Sequence, residues 1–144
     1  MQRNDLSEKE ISIITKTNII TLLVIAGAII INLIIVNFTS FKLMPFPASI
    51  VIIMGKVLVI KSIYYFVMQI SVKYQQLFSV ISSLVFTILA YLYVIYLCIN
   101  DVVIVDGAMN NNIVIMIGVA LLFSSIFLDN YNGYRMFNKN IVKK

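Results

Sequence analysis

The sequence predicts an all-α integral membrane protein, a bundle of four transmembrane helices with both termini in the cytoplasm. Of its 144 residues, 61% are hydrophobic and only 12% are charged, whereas a soluble domain has about 45–50% apolar and about 25% charged residues. The apolar residues form four long blocks separated by short polar stretches, as in membrane helices. The alternating ten-residue segments of a β-barrel are not seen. Because each connection is too short to hold a folded module, residues 1–144 are expected to form a single polytopic membrane domain.

The first helix is expected to begin at a capping box and to continue into the first span, at about residues 18–38. In that box the Ser7 hydroxyl accepts a hydrogen bond from the Glu10 N–H, and the Glu10 side chain reaches back. Acidic residues precede the apolar run, and the run is too long for the core of a cleavable signal peptide. This span is therefore predicted to remain in the mature protein, with Asn32 as its one strongly polar interior residue.

Three further spans are predicted, at about residues 48–70, 77–99 and 109–128. Pro45 and Pro47 break helix continuity before the second span. The longer spans have about 20 residues, which is enough to cross ~30 Å of hydrocarbon at a rise of about 1.5 Å per residue. A polar loop is expected at 100–112 and a basic cytoplasmic tail at 129–144.

The orientation follows from the distribution of lysine and arginine, which accumulate on the cytoplasmic side of membrane proteins. With four spans, eight of these residues fall on one side and only Lys42 falls on the other. Both termini are therefore predicted to be cytoplasmic. The eight residues are Arg3, Lys9, Lys16, Lys73, Arg135, Lys139, Lys143 and Lys144.

Two lysines, Lys56 and Lys61, interrupt the second span. A charge at that depth costs roughly 2.5–3.5 kcal/mol on insertion scales, and such residues are often functional. The two lie roughly 140° apart around a helix, and Asp129 is expected only at the cytoplasmic end of span four. Three explanations remain open: the side chains snorkel to the interface, a water-filled cavity solvates them, or they contact an acidic partner or a solute.

Small residues recur at helical spacing and predict the sites of close helix packing. Span two carries such a residue every seven positions, and spans three and four carry similar stripes. Packing within the chain and a homodimer seam both remain open as their role. The predicted packing residues are Ala48, Gly55, Ser62, Ser79, Ser83 and Gly118.

The tail alternates aromatic and basic groups, with Tyr134, Phe137 and Ile141 at helical spacing. This pattern suits either a segment that lies on anionic lipid or a frayed basic end that only sets the topology. The predicted lipid-interface residues are Arg135, Lys139, Lys143 and Lys144.

The sequence contains no histidine and only one cysteine, Cys98. It has no paired nucleophile and base, no metal-ligand cluster and no phosphate-binding glycine motif. We therefore expect no catalytic residues, no metal and no cofactor. The net charge of +5 predicts contact with anionic lipids rather than with nucleic acid, because the basic residues lie at the ends of the spans.

These observations predict a non-catalytic multi-pass protein that binds a partner within the membrane, as an accessory subunit or an immunity-type protein does. The partner would be another membrane protein or a second copy of the chain. The first alternative is a small oligomeric channel or transporter for an anionic solute, and the second is a holin-like lesion former. The content of isoleucine, asparagine and lysine suggests an AT-rich genome, so a prokaryotic cell membrane is the expected location.

Overall fold

The computed structural model describes residues 8–38, 46–70, 75–105 and 108–142. It is all-helical apart from two strands of two residues each. The elements in chain order are α1 (Glu8–Phe38), α2 (Phe46–Val67), α3 (Leu77–Asn100), β1 (Ile104–Val105), β2 (Ala108–Met109) and α4 (Asn111–Val142).

All four of these helices are long and apolar enough to cross a membrane. The qualifying segments are Glu8–Ile35, Ala48–Val67, Leu77–Asn100 and Asn111–Asn138. The sequence-based prediction of four apolar spans is confirmed at this level. Some residues used to predict the orientation and the first capping box lie outside the described residues. They are Arg3, Ser7, Lys42, Lys73, Lys143 and Lys144. The side chain of Lys139 also lies outside the described part.

Helix α4 lies at the centre of the arrangement. It packs against α2 on one side and α3 on the other, while α1 packs mainly against α2. The helices therefore follow the spatial order α1–α2–α4–α3, and α1 is attached along one narrow strip. Among the described side chains of α1, only Thr21 is buried.

The closest helix contact joins α2 to α4 and depends on two glycines. A methyl group added to Gly118 would lie 2.6 Å from Val51 Cγ1 and 2.9 Å from the Val51 carbonyl carbon. One added to Gly55 would lie 2.7 Å from Leu121 Cβ and 3.0 Å from the Gly118 oxygen. The absence of side chains lets the two backbones approach, which is how small residues promote association of membrane helices.

Buried side chains extend this contact in both directions. Ala48, Ile52 and Val114 form an apolar cluster at one end. Towards the other end, the buried hydroxyls of Ser62 and Ser125 lie 2.9 Å apart. The structure thus places the predicted packing residues Ala48, Gly55, Ser62 and Gly118 along the α2–α4 contact.

Helix α3 packs on α4 through residues spaced seven apart. Ser83, Ala90 and Leu97 are all buried. The Ser83 hydroxyl donates to the Ser79 carbonyl of its own helix at 2.8 Å, which satisfies the polar group without a partner from α4. The Ser79 carbonyl also accepts a hydrogen bond from Asn130 Nδ2 of α4 at 3.2 Å.

The end of α2 is a Schellman motif with glutamine in the position that glycine usually takes. Gln69 has φ of 54°. The Ile70 N–H donates to the Tyr65 carbonyl at 3.0 Å, and the Gln69 N–H donates to the Phe66 carbonyl at 3.3 Å. A left-handed backbone costs a residue other than glycine roughly 1–2 kcal/mol, so contacts from elsewhere must hold this turn in place.

Those contacts come from α4, which continues to Val142 through the segment predicted as the basic cytoplasmic tail. Asn132 Nδ2 donates to the Ile70 carbonyl at 2.6 Å, and an Arg135 guanidinium nitrogen donates to the Phe66 carbonyl at 3.0 Å. The Arg135 guanidinium also lies 3.9 Å from the centroid of the Phe66 ring. Arg135 thus caps the C-terminal end of α2, where positive charge is favourable. Its contact with lipid head groups stays a prediction.

The loop between α3 and α4 contains a hairpin that the sequence analysis missed. Strands β1 and β2 pair antiparallel, with Ile104 opposite Met109 and Val105 opposite Ala108. The two intervening residues in the sequence are Asp-Gly, the dipeptide that such tight hairpins favour. Asn110 then serves as the N-cap of α4, since its Oδ1 accepts from the Asn112 N–H at 3.0 Å.

Candidate functional site

Lys56 lies at the middle of α2, ten residues after Phe46 and eleven before Val67. Either end of the helix is therefore about 15 Å away. The Lys56 side chain is exposed. Within the described part of the chain, no hydrogen bond, ion pair or ring contact involves its ammonium group. The structure thus places a charged group at the middle of a candidate membrane-spanning helix, on the outer surface of the chain.

The contacts between α1 and α2 show where Lys56 lies relative to α1. Near one end, Asn32 Nδ2 donates to the Ser49 hydroxyl, and near the other the Tyr65 hydroxyl lies 3.4 Å from Asn18 Oδ1. Because the two helices are antiparallel, Lys56 is level with the middle of α1. Gly27 lies in this part of α1, and a methyl group added there would meet nothing within 4 Å.

Lys61 has different surroundings. It is half-buried, and its Nζ lies 5.4 Å from the centroid of the Tyr65 ring, one turn further along α2. A cation over an aromatic face gains about 0.5–2 kcal/mol, depending on desolvation. Lys61 is also only six residues from the end of α2 at Val67, so its stem has a shorter distance to the interface than that of Lys56.

Lys61 lines a cavity of about 380 Å³ between α1, α2 and α4, here called the polar cavity. Seven of its ten lining residues are polar. Asn132 is only 2% exposed, and its Oδ1 has no hydrogen-bond partner among the described residues. The lining residues are Ile14, Asn18, Lys61, Tyr65, Ile70, Gln75, Ile126, Asp129, Asn130 and Asn132.

Asp129 was expected at the cytoplasmic end of span four, where it offers no ion pair to the two lysines at mid-membrane. The structure places it in the wall of the polar cavity together with Lys61, because α4 continues past residue 128 and lies beside α2 in the same direction. No direct ion pair joins Asp129 to Lys61 in the described part of the chain.

A second cavity, here called the apolar groove, has a volume of about 370 Å³ between α1 and α2. Four of its eight lining residues are aliphatic, and two are threonines from α1. Lys61 lines both cavities, whereas Lys56 lines neither of them. The groove is lined by Thr17, Ile20, Thr21, Val24, Val57, Ile60, Lys61 and Tyr64.

The structure therefore separates the two lysines that the sequence analysis grouped together. Lys61 belongs to a polar site that also contains Asp129, Asn132 and Asn18, none of which was predicted as a site residue. The sequence signal for Asp129 and Asn132 was the cluster of polar side chains around residue 130, at the edge of an apolar run. Among the described residues, no group of three His, Cys, Asp or Glu is placed to hold a metal ion.

No protein-family model, curated protein or solved structure matches this chain. The class is therefore defined by the structure alone. It is an all-helical protein with four candidate membrane-spanning helices, an arrangement compatible with a multi-pass membrane protein.

Proposed function

We propose that this chain is a non-catalytic multi-pass protein of a prokaryotic cytoplasmic membrane that binds a protein partner within the bilayer through Lys56. An accessory subunit or an immunity-type protein acts in this way. The observation that carries the proposal is the exposed Lys56 ammonium at the midpoint of α2. The polar groups of the sequence include no nucleophile paired with a base, so they do not favour a catalytic function.

The position of Lys56 at the centre of α2 makes its charge costly in a membrane. A lysine facing lipid at the centre of a span costs roughly 2.5–3.5 kcal/mol. Its four-carbon stem does not bridge the roughly 15 Å to either end of the helix, so snorkelling offsets only part of that cost. A carboxylate on a neighbouring transmembrane helix would offset more of it, since buried charges are stabilised by pairing and hydrogen bonding.

The surroundings of Lys56 support a helix as the partner. Ile60, Ile63 and Val67 are large, exposed apolar residues. Together with Lys56 they are spaced four, three and four residues apart, which aligns them on one face of α2. This strip offers an incoming helix an apolar surface with one positive charge at its centre.

The test is co-purification of the native partner from membranes of the source cells. Lys56→Leu is expected to reach the membrane at least as well as the wild type, because the substitution removes an insertion cost, but to lose most of the associated partner. Lys56→Arg is expected to restore association only in part, since a guanidinium differs in shape and hydration from an ammonium. All variants are compared at equal membrane levels.

Lys16→Leu serves as the matched control. Lys16 is an exposed lysine of α1 that lies away from the middle of the bilayer, so its substitution is expected to leave association intact. Full association of Lys56→Leu would contradict the proposal. If the purified protein alone transports an anion into liposomes, the alternative of an oligomeric channel or transporter is favoured instead.

We further propose that both termini lie in the cytoplasm, on the basis of the eight-to-one distribution of lysine and arginine. Reporter fusions at the N-terminus, after Lys73 and at the C-terminus are expected to report the cytoplasm. A fusion within 101–112 is expected to report the opposite side. A cytoplasmic signal from 101–112 would contradict this orientation.

A further inference from the structure

Two cavities of different chemistry meet at Lys61. The polar cavity has a volume of about 380 Å³, and seven of its ten lining residues are polar. The apolar groove has a volume of about 370 Å³, and four of its eight lining residues are aliphatic side chains of α1 and α2. A polar compartment joined to an apolar one through a single cationic side chain suits an amphiphile, with a head group in the first and a hydrocarbon chain in the second.

The charges in the polar cavity select the type of head group. Lys61 and Asp129 line the same cavity, yet no direct ion pair joins them in the described part of the chain. One positive and one negative group that stay apart match a zwitterion, whose phosphate faces the ammonium and whose own ammonium faces the carboxylate. A purely anionic head group would satisfy Lys61 and leave Asp129 opposed by like charge.

Asn132 adds an independent indication of a hydrogen-bond donor in the ligand. Its side chain is 2% exposed and lines the polar cavity, and its Oδ1 has no partner among the described residues. An unpaired buried acceptor costs about 1–3 kcal/mol. Asp129 and Asn132 are three residues apart on α4, so their side chains share one face and can accept from the same group.

We propose that this site binds one aminophospholipid of the phosphatidylethanolamine type. Its phosphate contacts Lys61, its primary ammonium donates to Asp129 and Asn132, and one acyl chain lies in the apolar groove. The polar cavity extends from Lys61 to Gln75, beyond the C-terminal end of α2, which is the level at which lipid head groups are found. The site shares Ile60 with the Lys56 strip but does not include Lys56, and the proposal does not depend on the protein partner.

The first experiment uses the wild-type full-length protein and needs no variant. The protein is delipidated in detergent and mixed with equal amounts of phosphatidylethanolamine, phosphatidylcholine and phosphatidylglycerol that carry the same acyl chains. Native mass spectrometry then counts the bound lipids by mass. We expect one retained phosphatidylethanolamine per chain and about tenfold weaker retention of the choline lipid, whose trimethylated nitrogen cannot donate the hydrogen bond.

Variants then test, one at a time, the residues assigned to the ammonium and to the phosphate of the head group. Asp129→Asn is expected to lose the preference for phosphatidylethanolamine over phosphatidylglycerol, because it removes the negative charge that faces the ammonium. Lys61→Gln is expected to weaken retention of all three lipids. Lys56→Gln is the matched control, since it neutralises a lysine of the same helix that lines neither cavity, and it is expected to retain lipid as the wild type does.

Equal retention of the three lipids by the wild type would overturn the proposal, as would retention of none. A preference for phosphatidylglycerol would also overturn it and would leave Lys61 as a simple anchor for anionic lipid. An unchanged preference in Asp129→Asn would overturn the assignment of the ammonium to this residue. Loss of binding in Lys56→Gln equal to that in Lys61→Gln would show that the cavities do not form the site.

Discussion

Gly118→Ala is expected to lower the free energy of unfolding by about 1–3 kcal/mol, the usual cost of inserting a methyl group into a filled contact. The new Cβ would lie 2.9 Å from the Val51 carbonyl carbon and 3.0 Å from the Ile52 nitrogen. Both are backbone atoms of α2 and cannot move without the helix. The whole α2–α4 contact must therefore widen, although alanine is the better helix former by about 1 kcal/mol.

Gly27→Ala makes the same chemical change at a position in α1 where nothing lies within 4 Å of the new methyl group. It is expected to leave stability unchanged or to raise it by up to about 1 kcal/mol. Gly55→Ala is expected to lower stability as Gly118→Ala does, because its closest contacts are Leu121 Cβ at 2.7 Å and the Gly118 carbonyl oxygen at 3.0 Å, and both atoms are fixed to the backbone of α4. Thermal unfolding in detergent, followed by circular dichroism, measures all three variants. Equal melting temperatures for Gly118→Ala and Gly27→Ala would show that α2 and α4 do not pack in this way.

Arg135→Met is expected to lower the free energy of unfolding by about 2 kcal/mol. The substitution keeps a long apolar stem but removes a hydrogen bond from a charged group to the Phe66 carbonyl, worth about 1.5–3 kcal/mol, and the cation over the Phe66 ring, worth about 0.5–2 kcal/mol. Arg135 Nε is buried without a partner among the described residues. This desolvation cost disappears in the variant, so the net loss is smaller than the sum of the two contacts.

Arg135→Lys separates the structural role from the lipid-interface role that the sequence predicted. An ammonium keeps the positive charge that attracts anionic lipids. It lacks the planar guanidinium, which can stack on the Phe66 ring and donate a hydrogen bond to the Phe66 carbonyl at the same time. If Arg135 caps α2, the lysine variant should lose most of the stability that the methionine variant loses. Wild-type stability of Arg135→Lys, measured by thermal unfolding in the same detergent, would contradict the capping role. Cleavage of the α2–α3 connection in Arg135→Lys at a lower protease concentration than in the wild type would support it.

The sequence by itself determined the number of spans and the position of the charges within them. Long apolar runs specify membrane helices directly, because every backbone hydrogen bond must be satisfied inside each segment when no water is present. The lysines at 56 and 61 could likewise be recognised from composition alone. The glycines at 55 and 118 were recognised for a similar reason, since close approach of two helices requires small side chains wherever it occurs.

Only the tertiary structure decided which helices touch and which polar groups meet. The spans are apolar on most sides, so their periodicity carries little information about which face turns inward. The meeting of Lys61 with Asp129 and the capping of α2 by Arg135 join residues more than sixty positions apart. The spatial order α1–α2–α4–α3 likewise places α2 beside α4, which does not follow it directly in the chain. Such contacts depend on how far α4 extends and on which helix lies beside it. Those two quantities are set by the combined packing of several helices and cannot be assigned to the sequence of any one segment.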